Sequence, residues 1–172
     1  MFFILNTIDK PTIARVQGAA FGGAVGLIAC CDIAIGSKLS KFCLSEVKLG
    51  LAPATISPYV IDAIGARVAR RYFTTAEVFS ARRARRLGLL SEAVVEEELD
   101  STIENLIEHI LKSSPAAIRA AKELVFDVQN KPISEELLAN TSKKIAELRV
   151  SEQGQEGLNA FLQKRRAKWI KE

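Results

Sequence analysis

Residues 17–32 read QGAAFGGAVGLIACCD, and glycines at positions 18, 22, 23 and 26 stand inside the longest apolar stretch of the chain. A glycine in a helix interior costs about 0.5–1 kcal/mol relative to alanine. So many glycines in one stretch indicate a turn that alanine would not make, or a backbone that approaches another group closely.

The neighbouring segments alternate between strand and helix patterns. Residues 22–31 are apolar and predict a buried helix. Runs that are rich in β-branched residues, or that alternate apolar with small or polar residues, predict strands at residues 11–18, 32–37, 41–46 and 88–96. The first half of the chain therefore contains a strand, a glycine-rich turn and a helix in succession.

The later segments carry helix start and stop signals. Residues 49–58 predict a loop, in which Ser57 caps the following helix and Pro58 occupies its first position. The pattern is then helical as far as Leu87, with a break at Gly65. After Glu97 every segment predicts a helix. We therefore predict an α/β fold with a mixed region at residues 1–96 and an all-helical region at residues 97–172.

The composition is that of a globular protein, because 48% hydrophobic and 26% charged residues exclude general disorder. The net charge of +4 suits a phosphate-bearing ligand but is too small to imply nucleic acid. Basic clusters lie at residues 82–86 and 164–168. Because few aromatic residues interleave with them, we expect solvated helix faces and no nucleic-acid partner.

Cysteine usage and the apolar segments predict a cytoplasmic protein. The three cysteines, Cys30, Cys31 and Cys43, lack zinc-ligand spacing and suit buried reduced thiols, so we expect no metal. The apolar start MFFILNTI lacks the basic segment and cleavage site of a signal peptide. The run between Arg15 and Asp32 is shorter than the ~20 residues that a membrane helix needs. We also expect His109 to be exposed on an amphipathic helix.

The glycine turn has a chemical interpretation beside the structural one. A turn that opens a helix presents unpaired backbone N–H groups where the helix dipole is positive. Such a position stabilises a phosphate or an oxyanion. Close packing of a helix on a sheet explains the same glycines, so the turn by itself leaves both interpretations open.

The combination of GAAFGGAVGLIACCDIAI (18–35) with KFCLSEVKLGLAP (41–53) resembles the crotonase family, the enoyl-CoA hydratases and isomerases. The resemblance continues through ARRLGLLSEAV (84–94) and EGLNAFLQKRRAKW (156–169) and so covers nearly the whole chain. It implies the C-terminal portion of a crotonase-type ββα spiral, followed by an all-helical trimerisation region. The family's homo-oligomers, trimers and paired trimers, are implied as well.

The resemblance also implies roles for individual residues. Gly23 is the second glycine of the pair, and its N–H would bind the thioester oxygen, with Gly22 beside it in the substrate-binding turn. Glu46 would be the acid/base. Phe161 and Lys164 would reach the CoA of a neighbouring subunit. CoA enters as part of the substrate, and no separate cofactor is implied.

At Gly26 the chain departs from the family pattern, because many members have a second glutamate there. One carboxylate is enough for proton shuttling, so hydratase, dehydratase and double-bond isomerase activities all stay open. We expect Gly26 to make room for a branched or carboxylate-bearing acyl group. The segment SEVKLGLAPATISPYV (45–60) is most similar to bacterial methylglutaconyl-CoA and carboxygeranoyl-CoA hydratases, which favours the same expectation.

The resemblance begins well inside the family's length and implies that the N-terminal part of the fold, with a second oxyanion N–H, is absent. Loss of one oxyanion donor typically costs about 2.7–4 kcal/mol of transition-state stabilisation. Two functions therefore stay open: an enzyme acting on a 2-enoyl-CoA thioester, and a truncated, non-catalytic assembly module.

Overall fold

The computed structural model describes residues 1–170 and shows strands and helices interleaved in the first part of the chain. The strands are β1 (Ile13–Val16), β2 (Ala19–Phe21), β3 (Ile33–Ser37), β4 (Lys41–Cys43), β5 (Phe79–Ser80) and β6 (Glu92–Val94). The α-helices are α1 (Phe2–Thr7), α2 (Gly23–Ala29), α3 (Ser57–Ile64), α4 (Ala66–Thr75), α5 (Ala81–Leu87), α6 (Leu99–Leu111), α7 (Pro115–Val128), α8 (Glu135–Val150) and α9 (Glu152–Leu162). Short 3₁₀ helices cover Glu46–Leu49 and Glu96–Glu98.

Successive strands enter two different sheets. Parallel pairing joins β1 to β3 and β3 to β6 in one sheet, and β2 to β4 in the other, where β5 adds an antiparallel edge. The chain steps from the first sheet to the second at Gly18, whose φ of +79° suits glycine. The order β1–β2–α2 is followed by β3–β4–α3, so each turn of the chain lays a strand beside its equivalent from the turn before.

The core lies between the sheets and the helices that follow them. Phe42 is fully buried and stacks on Phe79 with 5.5 Å between ring centroids, and Tyr72 approaches Phe79 at 4.4 Å. Val25 of α2 and Val60 of α3 are also fully buried. Removing these side chains from water is the main force that holds the ββα units together.

Local signals explain where several helices begin and end. Gly65, with φ +78°, separates α3 from α4, as predicted from the sequence. The Ser80 hydroxyl accepts the Arg83 N–H and caps α5, and Gly88, with φ +91°, follows its last residue. In the helical part, Ser114, Ser134 and Ser151 cap α7, α8 and α9 in the same way.

The structure corrects some local predictions. Ser57 does not cap α3: it is the first helical residue, and its hydroxyl donates to the Ala54 carbonyl at 2.9 Å. The predicted strand 41–46 ends at Cys43, because the chain turns into a 3₁₀ helix at Glu46. The strands β2 and β5 were not predicted; they are so short that they carry little alternation for a pattern to show.

The chain divides into two compact units, Met1–Asn105 and a second unit that begins at Leu106. The first unit contains both sheets, and the second contains the end of α6 with α7, α8 and α9. The predicted role of the helical region in oligomer formation stays a prediction. Within residues 1–170, no helix combines the length and apolar character needed to cross a bilayer.

Candidate functional site

The glycine pair forms the junction between β2 and α2. Gly22 has φ +54° and ψ −121°, and α2 begins at Gly23. The Gly22 N–H donates to the Cys43 carbonyl at 2.8 Å, and its carbonyl accepts the Val25 N–H at 2.9 Å. Both backbone groups of Gly22 therefore hold the turn in place and are not available to a ligand.

Gly23 is the exposed first residue of α2. The first N–H groups of an α-helix have no acceptor within the helix, and the dipole makes this end positive. Within residues 1–170, no backbone carbonyl accepts the Gly23 N–H. A carbonyl or oxyanion that approaches the N-terminus of α2 thus meets a hydrogen-bond donor whose position is set by the strand pair behind it.

Glu46 reaches the same turn from the end of β4. Because β2 and β4 run parallel, with Phe21 opposite Cys43, their carboxyl ends lie at the same edge of the sheet. The partly buried Glu46 side chain points back to this edge, where its Oε1 lies 3.2 Å from the position that a Cβ on Gly22 would occupy. The structure therefore brings together Glu46 and the glycine pair, to which the resemblance assigned roles in one site; those roles stay predictions.

The Glu46 carboxyl has an unused oxygen. Its Oε2 is inaccessible to solvent and finds no hydrogen-bond partner in the described part of the chain. Buried carboxylate oxygens are normally hydrogen-bonded, because an unpaired buried polar group is costly. The fold therefore places this carboxyl beside the turn without giving this oxygen a structural hydrogen bond from residues 1–170.

The space beside Gly26 is filled. A Cβ at this buried position would lie 2.7 Å from Cβ of Ile56, closer still to its Cγ2, and 3.2 Å from Cε1 of Phe2. The expectation that Gly26 makes room for an acyl group is therefore wrong in this structure: the missing side chain accommodates Ile56. Sequence analysis missed Ile56, because a single isoleucine in a loop carries no periodic signal.

Phe161 and Lys164 lie in the second unit. Phe161 is 81% exposed, near the end of α9, and Lys164 follows that helix with φ +52°. Their neighbour Arg165 is used within the chain, because its guanidinium donates to both carboxylate oxygens of Glu156. The contact of Phe161 and Lys164 with the CoA of a neighbouring subunit stays a prediction.

Other candidate residues lie outside this chemistry. His109 is exposed on α6, as predicted. Cys30 and Cys43 are buried, no disulfide is formed, and the described residues hold no cluster of metal-ligating side chains. Burial raises the pKa of the Cys30 thiol to about 11, and the adjacent Cys31 contributes in the same direction. Such a thiol is protonated at neutral pH and is a poor nucleophile.

The turn, the carboxylate and the ββα order can be compared with known proteins. A model of the enoyl-CoA hydratase/isomerase family matches residues 2–172. The chain belongs to this family. The crotonyl-CoA hydratase of Syntrophomonas wolfei is 30% identical over 171 residues, 99% of this chain and 65% of that protein. The enoyl-CoA hydratase AKT6-1 of Alternaria alternata is 37% identical over 131 residues, 76% of this chain and 44% of that protein.

Solved structures of the family show the same fold. An enoyl-CoA hydratase from Shewanella pealeana superposes with a TM-score of 0.92 at 48% identity, over 98% of this chain and 63% of that one. Human enoyl Coenzyme A hydratase domain-containing protein 3 superposes with a TM-score of 0.91 at 30% identity, over 98% of this chain and 66% of that one. The predicted crotonase-type α/β fold is confirmed. The chain spans between 44% and 65% of the length of the two sequence relatives named above.

Proposed function

We propose that this family member acts on a 2-enoyl-CoA thioester, with the Gly23 N–H polarising the thioester carbonyl and Glu46 transferring protons. The observation that carries the proposal is the position of the Glu46 carboxyl beside the turn that opens α2, with Oε2 buried and unpartnered. A donor and an acid/base side by side are what proton transfer next to a carbonyl requires.

The chemistry follows from where charge develops. When water adds to C3 of a 2-enoyl thioester, the Glu46 carboxylate takes a proton from that water, and an enolate is left whose negative charge lies on the thioester oxygen. The Gly23 N–H stabilises that charge, and a proton delivered from the carboxyl to C2 completes the hydration. In a double-bond shift of the same 2-enoyl thioester, the carboxylate takes a proton from C4 and returns it at C2. Both reactions need one carboxyl group that alternates between its two protonation states.

Position 26 carries no carboxylate, and Ile56 fills the space beside it. This supports a reaction that depends on Glu46. We propose that Glu46 performs both proton steps. Similarity of residues 45–60 to bacterial methylglutaconyl-CoA and carboxygeranoyl-CoA hydratases supports a branched or carboxylated acyl group as the substrate. The space beside Gly26 does not support this substrate, because Ile56 fills it.

Self-association is part of the proposal. Phe161 is exposed, which suits a contact with a second subunit, and Lys164 supplies a cation suited to a CoA phosphate. We propose a homo-oligomer, a trimer or a pair of trimers, in which these two residues approach the CoA held by a neighbour. Sedimentation of the purified protein measures the oligomer directly, and a monomer at all concentrations contradicts it.

The test is the substitution Glu46→Gln, with the exposed Glu97→Gln as the matched control. We expect Glu46→Gln to lower turnover of crotonyl-CoA and methylglutaconyl-CoA by about 100-fold or more, because removal of a general acid/base typically costs 10²–10⁴-fold. Glu97→Gln should leave the rate unchanged. Equal activity of the two variants contradicts the role of Glu46.

The two substrates also separate the finer alternatives. Faster turnover of methylglutaconyl-CoA supports the branched, carboxylated substrate, whereas faster turnover of crotonyl-CoA contradicts it. If neither substrate is turned over and calorimetry detects no binding of either thioester, the proposed enzyme function is overturned in favour of the assembly module.

A further inference from the structure

Two glycines in the same stretch share a positive φ but differ in their surroundings. Gly18 has φ +79°, and a Cβ there would meet no atom within 4 Å. Gly22 has φ +54°, and a Cβ there would lie 3.2 Å from Oε1 and 3.7 Å from Cδ of Glu46. Conformation explains a glycine at either position. Only at Gly22 does the missing side chain also leave space for a carboxyl group.

We propose that Gly22 is a positioning residue: it holds open the place in which the Glu46 carboxyl lies beside the N-terminus of α2. This rests on the proposed function of Glu46. The sequence resemblance assigned Gly22 to the substrate-binding turn. In the structure, the position that a side chain at Gly22 would occupy lies next to the Glu46 carboxyl. Gly22 and Gly23 thereby serve different partners, one the side chain of Glu46 and the other the thioester oxygen.

The backbone at Gly22 has little freedom to move away from an added methyl group. Its N–H is bound to Cys43 at the end of β4, and its carbonyl accepts from Val25 in the first turn of α2. Glu46 follows Cys43 closely in the chain, so the same strand end anchors both partners. A methyl group at position 22 therefore displaces the carboxyl rather than the turn.

Displacement of the carboxyl has a specific kinetic consequence. The N–H of Gly23 is untouched by an added methyl group at position 22, so thioester binding is largely retained. Proton transfer depends on distance, and a misplacement of about 1 Å can cost about 100-fold in rate. A Cβ at position 22 requires the Glu46 carboxyl to move by only a few tenths of an ångström. We therefore expect Gly22→Ala to lower kcat by roughly 3- to 10-fold, with a much smaller change in KM.

The decisive experiment compares Gly22→Ala with Gly18→Ala, which also places alanine at a positive φ but has no atom within 4 Å of the added Cβ. The readout is the carbon-13 resonance of the Glu46 side-chain carboxyl, assigned by its loss in Glu46→Gln. We expect this resonance to shift in Gly22→Ala and to stay in place in Gly18→Ala. The measurement needs no turnover, so it stands even if Glu46→Gln shows that the proposed function is wrong.

Urea unfolding provides a second measurement if Gly22→Ala folds poorly. The stability cost of Gly22→Ala is measured in the wild-type chain and in a Glu46→Ala chain. A clash with the carboxyl makes the cost smaller when Glu46 is absent, and a chain that folds only as the double variant shows the same effect. An unmoved Glu46 resonance together with equal costs in the two backgrounds overturns the proposal.

Discussion

Gly26 and Ile56 form a complementary pair of residues. One lacks a side chain at the point where the other places its β-branched carbon, and both are buried. The sequence shows that a family carboxylate is missing at position 26 but does not show what replaces it. The structure shows that α2 packs closely on the residue that precedes α3, so the exchange of glutamate for glycine is linked to an apolar contact.

Gly26→Ala tests this pairing. The added methyl group overlaps Ile56, and overpacking of a core typically costs about 1–3 kcal/mol. Ile56→Ala removes Cγ2, the nearest atom, but keeps Cβ 2.7 Å from the added carbon. The overlap is relieved in part, so the double variant should be more stable than the sum of the two single costs predicts. Urea unfolding of all four chains gives the coupling free energy. Strictly additive costs would show that residues 26 and 56 do not share this space.

At the scale of elements, part of the terminal basic segment (residues 164–168) forms hydrogen bonds that fix the chain after α9. Arg165 donates to Glu156 through both terminal nitrogens, at 2.6 and 2.9 Å, and the Lys168 backbone N–H donates to the same carboxylate at 3.0 Å. These bonds, Arg165 first, hold the pKa of Glu156 at about 2. The basic residues of this cluster are exposed, as expected, but they follow α9 and do not form a helix face, and Arg165 is paired within the chain.

The Glu156 ion pair predicts a pH dependence of stability. The folded pKa of about 2 lies below the ordinary value of 4.5, so the stabilising contribution is complete above pH 4.5 and is lost as the pH falls towards 2. We expect Glu156→Gln to lower the melting temperature near neutral pH and the difference from wild type to vanish near pH 2. Thermal unfolding across this range, with Glu152→Gln as control, measures it. A constant difference at every pH would contradict the assignment.

At the scale of the whole molecule, the ββα order places buried thiols deep in the first unit. Cys30 is 2% exposed and Cys43 is 1% exposed, whereas Cys31 is only partly buried. The raised pKa of Cys30, caused chiefly by burial, leaves little reactive thiolate at physiological pH. Its reactivity therefore reports opening of the fold.

Alkylation with iodoacetamide at about pH 8 tests this prediction. We expect Cys31 to be labelled first and Cys30 to be protected by several orders of magnitude, with protection lost in urea at the unfolding midpoint. Peptide mass spectrometry identifies each thiol. Rapid labelling of Cys30 in the native chain would show that this region opens without unfolding.

The sequence by itself determined the features that depend on local chemistry. The helix over the glycine stretch, the break at Gly65 and the strands β1 and β3 follow from periodicity and from backbone angles that only some residues adopt. The placement of Glu46 beside the glycine pair came from the resemblance to the crotonase family, not from periodicity or spacing.

Tertiary structure alone decided what depends on pairing between distant segments. The strands β2 and β5 form because partners are presented to them, not because of their own short sequences. Ile56 fills the space at Gly26, and Gly22 faces the Glu46 carboxyl, because β2, β4 and the loop before α3 converge at one edge of the sheet. The physical reason is that side-chain packing across separate elements leaves no periodic signal in the chain.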